Sequence, residues 1–420
     1  MASATDPTLI IRRARALTMT GSQGSPGTAP LGIVEDATIA VAGEQIVWVG
    51  GEAGSPAPGA RTLEVDAGGN LVAPGFVEPH SHLLFAGDRA GELALRLGGQ
   101  SYLEIARQGG GILSTVRATR AASDEQLLLL ACARLSRLVE EGVTTVEVKT
   151  GYGLSLKEEL RLLRLIRAAS ERSPCEVMPT LLGLHAVPEE IDRASWVRVV
   201  VEELTPAASA LGAHGCDAFC EEGAFTPDEC RAALAAGTRA GLVPHLHADQ
   251  LTAGGGAELA AELGCASAGH LERTGPAGIA ALARAGTVAT LLPLAAWFLR
   301  EARPAQAAPF LAAGVPVALG GNLNPGSQRI EGHSFLLAAG CLVAGLTPAQ
   351  ALWGATAGAA RALRLGDRGV LAPEKRADLV LHAATDPAHL PYHAGVNHVR
   401  LVIRGGAIAV DRRGLPAPAC

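Results

Sequence analysis

From residue 72 to residue 321 the chain alternates short apolar runs with amphipathic stretches, and that alternation limits the fold more than any other feature. The candidate strands are Val72–Glu78, Val143–Lys149, Glu176–Leu184, Cys216–Glu221, Leu242–His247, Cys265–His270, Thr287–Leu292 and Val315–Gly321. The intervening stretches carry helix signals. Asp124–Glu141 starts acidic behind Ser123, and Leu156–Ser170 spaces its apolar residues at the helical period. Pro227–Ala240 has Thr226 as an N-cap and proline at its first position. Eight strands alternating with helices over roughly 300 residues predict a (β/α)8 barrel of the TIM type, the α/β class. An open doubly wound sheet fits less well, because no Gly-rich phosphate loop follows the first strand.

The two ends read differently. Ala37–Gly50 holds two β-rich runs joined by a Gly-containing turn, and residues 376–412 repeat that style. Strands at both ends can pair, so the expectation is a small β-sandwich from residues 1–70 and 371–420 flanking a barrel over 71–370. With 48% hydrophobic and 18% charged residues the chain is expected to fold. Its 35 basic and 41 acidic residues form no basic stripe, so nucleic acid is not an expected partner. Charges run through the apolar part of Met1–Met19, unlike a signal peptide, and no run of about 18 apolar residues predicts a membrane span. The eight cysteines, the last being Cys420, include no Cys-x-x-Cys and mostly read as small buried hydrophobes. The expected compartment is the cytoplasm.

In such a barrel the chemistry sits at the C-terminal ends of the strands. Those ends supply His80 and His82, Lys149, His185, Glu221 and Glu222, His247, His270, Pro293 and Asn322. His80 and His82 are spaced i, i+2, which along a strand points both rings to one face, as a metal requires. Alone, such a pair often just packs; histidines gathered from strands far apart in sequence favour a metal. His247, in His245-Leu-His247-Ala-Asp249-Gln250, is the natural third ligand, with His245 one layer deeper as barrel filling. Three imidazoles plus a water form an open site that brings the water's pKa from about 16 towards 7, suited to attack on an amide or amidine carbon.

Five stretches resemble the imidazolonepropionases, amidohydrolases of histidine degradation. They are Pro74-Gly-Phe-Val-Glu-Pro-His-Ser-His-Leu-Leu-Phe-Ala-Gly-Asp-Arg89, Gly110-Gly-Ile-Leu-Ser-Thr-Val-Arg-Ala-Thr-Arg120, Gly142-Val-Thr-Thr-Val-Glu-Val-Lys-Thr-Gly-Tyr-Gly153, Leu184-His-Ala-Val-Pro188 and Leu246-His-Ala-Asp-Gln-Leu251. The resemblance implies His80, His82 and His247 as ligands of one zinc or iron ion per subunit, with Asn322 at the position of a further ligand. It implies that Arg89 holds a substrate propionate and that Tyr152, His185 and Gln250 meet the ring. Asn324, Gly326 and Ser327 would form a polar loop over the substrate, and His270 would stand beside the reacting water. It also suggests a homodimer acting on a small molecule, 4-imidazolone-5-propanoate. Relatives with two metals carry a carboxylated lysine at the end of the fourth strand; here that strand ends in Glu221-Glu222, so one metal is expected.

Two positions depart from the family pattern. Asn322 stands where the family has Asp, and Gly269 stands for Asp in the Ser-Ala-Asp-His pattern before His270. An amide oxygen can coordinate but cannot act as a base. His270, His185 or metal-activated hydroxide itself is left to take the proton. The alternatives to a working hydrolase are a catalytically impaired or non-catalytic paralogue, and a hydrolase of another cyclic amide.

Overall fold

The computed structural model of the chain describes residues 6–100, 104–105 and 109–414; Cys420 lies outside them. Sixteen strands are defined among the described residues, and they form two sheets. Eight parallel strands build the barrel in sequence order: β6 (Phe76–Glu78), β7 (Val143–Lys149), β8 (Glu176–Leu184), β9 (Gly215–Cys220), β10 (Val243–Ala248), β11 (Ser267–His270), β12 (Val288–Leu291) and β13 (Val317–Leu319). The ring is drawn shut just beyond the strand ends. There the Asn322 N–H donates to the His80 carbonyl at 2.9 Å and the His82 N–H to the Leu323 carbonyl at 3.0 Å. Glu78 reinforces the seam by accepting the backbone N–H groups of His80 (3.0 Å) and Gly321 (2.9 Å). Burial drives the Glu78 carboxyl up to about 8 despite these donors.

The helices start where the sequence places them. Ser123 with Gln126 and Thr226 with Glu229 form reciprocal capping boxes at the starts of Asp124–Glu140 and Pro227–Arg239. Leu156–Glu171 is capped by the Ser155 side chain. Each turns its apolar stripe onto the barrel, and one continuous hydrophobic core runs between the strands and the helix ring.

The remaining strands come from both ends of the chain: β1 (Leu9–Leu17), β2 (Ile33–Ala42), β3 (Gln45–Gly50), β4 (Leu63–Asp66), β5 (Leu71–Pro74), β14 (Leu379–His382), β15 (Val399–Arg404) and β16 (Ala407–Asp411). They hydrogen-bond as one mixed sheet in the order β16-β15-β14-β5-β1-β2-β3, with β4 on β1, over its own apolar cluster. The expected hairpin is β2–β3, with Gly43 at φ 59° in its turn.

The expected single strand Val72–Glu78 is in fact two. Up to Pro74 the chain pairs with β14, and from Phe76 it pairs with β7. Gly75 makes the transfer. Its N–H donates to the Asp378 carbonyl at 2.9 Å, and the next donor, Phe76, goes to Gly142 at 2.9 Å. A side chain at 75 would collide with Thr144, so only glycine lets the strand change sheets here.

At this junction two histidines are buried as neutral rings. His333 and His382 lie 4.8 and 5.7 Å from the Phe76 ring, and burial lowers each to about 3. An unfolded histidine titrates near 6.5, so between about 6.5 and 3 the unfolded chain binds protons that the folded one refuses. Stability is therefore fully present above about pH 6.5 and falls as the pH drops, by about 2 kcal/mol per ring at pH 5. The urea midpoint should fall between pH 7.5 and pH 5; an unchanged midpoint would contradict this burial.

Candidate metal centre and active site

Strand alternation sets the interior of the barrel. In β7, Thr145, Glu147 and Lys149 share one face, and all three are buried. In β10, His245 and His247 do the same, and in β9 the inward residue is Asp217. Polar residues thus fill the barrel, and they pair. Lys149 Nζ lies 2.6 Å from Glu147 Oε1 and 2.8 Å from Asp217 Oδ2. Burial raises Glu147 to about 7. Burial also pushes Asp217 up, but His247 and Lys149 more than offset it and hold that carboxyl well below the usual range. His245 sits deeper, with Nδ1 2.9 Å from Ser267 Oγ, as barrel filling.

Above this layer three imidazoles converge. His80 Nε2 and His247 Nε2 are 3.0 Å apart, and His247 Nε2 and His82 Nε2 are 3.3 Å apart. The ligating atoms of all three lie within 4.8 Å of one another. Asp217 Oδ2 stands 3.1 Å from His247 Nδ1. A carboxylate at that distance favours the proton on Nδ1, which leaves the Nε2 lone pair bare toward the other two rings. Burial holds His80 and His82 far below the usual histidine range, so protons are poor occupants of the space between the rings. Facing lone pairs that resist protonation call for a cation. Three buried imidazole nitrogens suit a transition-metal ion.

The other expected residues fall into two groups around this centre. The first is a shell of rings. His185 stacks on His82 at 5.1 Å with a 21° tilt, and Tyr152 lies 5.3 Å from His185. His270 lies 5.5 Å from His247 and 6.0 Å from His80. His185 Nδ1 meets the Gly151 carbonyl at 3.0 Å, and burial together with His247 lowers it to about 3. The Gly151–Leu154 turn that presents Tyr152 is gripped by Glu159, whose carboxylate accepts the N–H groups of Gly151, Gly153 and Leu154 at 2.7–2.9 Å.

The second group is the loop Asn322–Ser327 with Arg89. Asn324 donates to the Asn322 carbonyl at 2.8 Å and accepts from the N–H groups of Gly326 and Ser327 at 2.8 Å. Its amide is thus engaged in holding the turn. Gly326 faces the Arg89 guanidinium. Gln250 is half-buried, following Asp249, which is buried at φ 51° and caps the next helix through Gly256.

Reading only the strand ends missed one residue. Asp217 lies inside β9 rather than at its end, yet it touches both Lys149 and His247; a charge within an apolar run was the available signal. Glu221, by contrast, does not face the centre. It accepts the N–H groups of Leu251 (2.8 Å) and Thr252 (3.1 Å) and so fixes the loop that carries Gln250.

A scan against protein-family models gives no match. Curated proteins do match: the imidazolonepropionase of Myxococcus xanthus is 49% identical over 96% of this chain and 97% of its own length. That of Anaeromyxobacter dehalogenans is 51% identical over 96% of each. The chain belongs to the imidazolonepropionase family. Solved structures agree on the fold. The 5-methylcytosine deaminase of Klebsiella pneumoniae superposes with TM-score 0.73 at 19% identity, covering 96% of this chain and 97% of its own. A zinc-bound adenosine deaminase of Xanthomonas campestris gives TM-score 0.74 at 19% identity over 97% and 94%.

Gly269 and Asn322 both lie against His80. A Cβ at Gly269 would stand 3.0–3.1 Å from Cε1 and Nδ1 of His80, so the glycine lets the His80 ring rest where it does. Asn322 is tied to the His80 backbone, at φ 53°, a left-handed conformation that asparagine and aspartate both tolerate.

Proposed function

We propose that the chain hydrolyses the cyclic amide C–N bond of 4-imidazolone-5-propanoate to N-formimino-L-glutamate, a step of histidine breakdown. The observation that carries this reading is the buried convergence of three Nε2 atoms, ringed by His270, His185 and Tyr152, in a chain about half identical to imidazolonepropionases.

His80, His82 and His247 would hold one zinc or iron ion per subunit, and the Asn322 amide would be a further, uncharged donor. When bound, the ion makes hydroxide available near neutral pH and polarises a carbonyl. Arg89 binds the substrate carboxylate, using the planar fork that suits it. Tyr152 and His185 pack against the ring, Gln250 hydrogen-bonds to it, and the Asn324–Ser327 loop closes over it. His270 takes the proton of the attacking water. The water oxygen adds to the ring carbonyl carbon, the tetrahedral adduct collapses with cleavage of the C–N bond, and His270 returns the proton to the departing nitrogen.

Relatives named for this activity match over nearly the whole chain, which favours a working hydrolase over an impaired paralogue. Among the described residues no helix is long and apolar enough to cross a membrane. A cytoplasmic homodimer acting on a small molecule completes the reading.

The test is loss of ring absorbance from freshly made imidazolonepropanoate, on protein loaded separately with zinc and iron. Turnover that a chelator abolishes and added metal restores is expected. No turnover with metal verified as bound would sink the reading.

A further inference from the structure

Arg89 stands at the N-cap of the helix Ala90–Leu97, and its partner Glu92 lies in that helix's first turn. One oxygen of Glu92, Oε2, accepts from Arg89 Nε at 2.8 Å and lies 2.7 Å from Nη2. The other, Oε1, accepts the Gly111 N–H at 2.8 Å. Both side chains are nearly buried, at 9% and 11% exposed, so this ion pair is not a solvated surface contact. The free end of the guanidinium points elsewhere: Nη1 is the atom that a Cβ at Gly326 would strike first. Arg89 is therefore gripped along its Nε–Nη2 edge, while its Nη1 corner meets the Asn324–Ser327 turn.

We propose that Glu92 is the positioning residue for the substrate's carboxylate, fixing the guanidinium plane so that only its Nη1–Nη2 end remains for the ligand. This deepens the proposed function and rests on its assignment of Arg89. A guanidinium held along one edge has a single approach left for a carboxylate, which fixes the reach required of the tail. The Oε1 contact ties the same device to the Gly109–Gly111 loop, so Arg89 and the start of the helix Ile112–Ala121 are set by one side chain. A Cβ at Gly110 would stand 2.9 Å from Glu92 Oε1, so the loop backbone closes directly on the carboxylate.

The test uses the metal-loaded enzyme and two competitive probes, imidazole-4-propanoate and its neutral methyl ester. In Glu92→Gln, the KM for imidazolonepropanoate and the Ki for imidazole-4-propanoate should each rise about 10-fold, the scale of a charge-assisted hydrogen bond. The kcat should stay within about twofold, and the Ki of the ester should not move. Glu92→Asp keeps the charge but is too short to span Arg89 and Gly111, and should give an intermediate KM; it also serves if the glutamine variant folds poorly. Equal losses for acid and ester would overturn the proposal, since a merely structural residue would produce them. Tighter binding of the acid would also overturn it, by making Glu92 a competitor of the ligand. Arg89→Gln separates the two ideas: if it leaves the preference for acid over ester intact, the assignment of Arg89 itself has failed.

Discussion

Lys149→Met should lower the unfolding free energy by about 3–5 kcal/mol, the cost of stranding a buried charge by removing its partner. Lys149 bridges Glu147 and Asp217, at 2.6 and 2.8 Å, and all three are buried in the barrel. The two carboxyls would respond differently. Glu147, already raised to about 7 by burial, can take a proton at little cost. Asp217 is held well below the usual range by His247 and Lys149, so it is the charge left exposed to the low-dielectric interior. Urea unfolding of the metal-free protein measures the loss. The triple variant Lys149→Met, Glu147→Gln, Asp217→Asn should recover most of it, because neutral groups carry no such penalty. An unchanged midpoint in the single variant would mean that water reaches the triad.

His270→Ala should reduce kcat by about 100- to 10,000-fold while the protein keeps its metal, the range expected when a general base is removed. The ring adjoins His247 and His80 without joining the three-histidine cluster, so its loss should spare metal content. Behind it Glu272 Oε2 stands 3.6 Å from Nδ1, longer than a hydrogen bond, and both atoms are buried without a hydrogen-bond partner among the described residues. Such contacts commonly tighten only when substrate binds. Asn322 cannot share the work, since an amide has no proton-accepting charge. Adding Asn322→Asp to the His270→Ala protein should therefore return part of the lost rate. Metal analysis alongside single-turnover kinetics decides it: full activity in His270→Ala would remove this residue from the proton path, and loss of metal would make it a structural support.

Much of the centre could be read from residue order because the barrel repeats one rule. Each strand ends at the same rim, so His80, His82, His185, His247 and His270 could be gathered from separate segments before any contact was known. Helix starts were equally legible, since Ser123 and Thr226 cap through neighbours three residues away. The failures share a cause. Asp217 and the break at Gly75 depend on partners about 30 to 300 residues distant, which local pattern does not encode. Glu221 looked like a rim carboxylate yet serves the Leu251–Thr252 loop, a choice made by backbone direction after the strand ends.

The sequence by itself determined the alternation that makes the barrel, the strands that supply the three converging histidines, and the family to which the chain belongs. Periodicity and motif are local, and they survive in a linear string. Only the tertiary structure decided which buried charges meet: Lys149 with Asp217, Asp217 with His247, Arg89 with Gly326 across the loop from Asn322. Those pairings are set by distances between elements far apart in the chain, and electrostatics in a buried interior depends on such distances more steeply than on residue type.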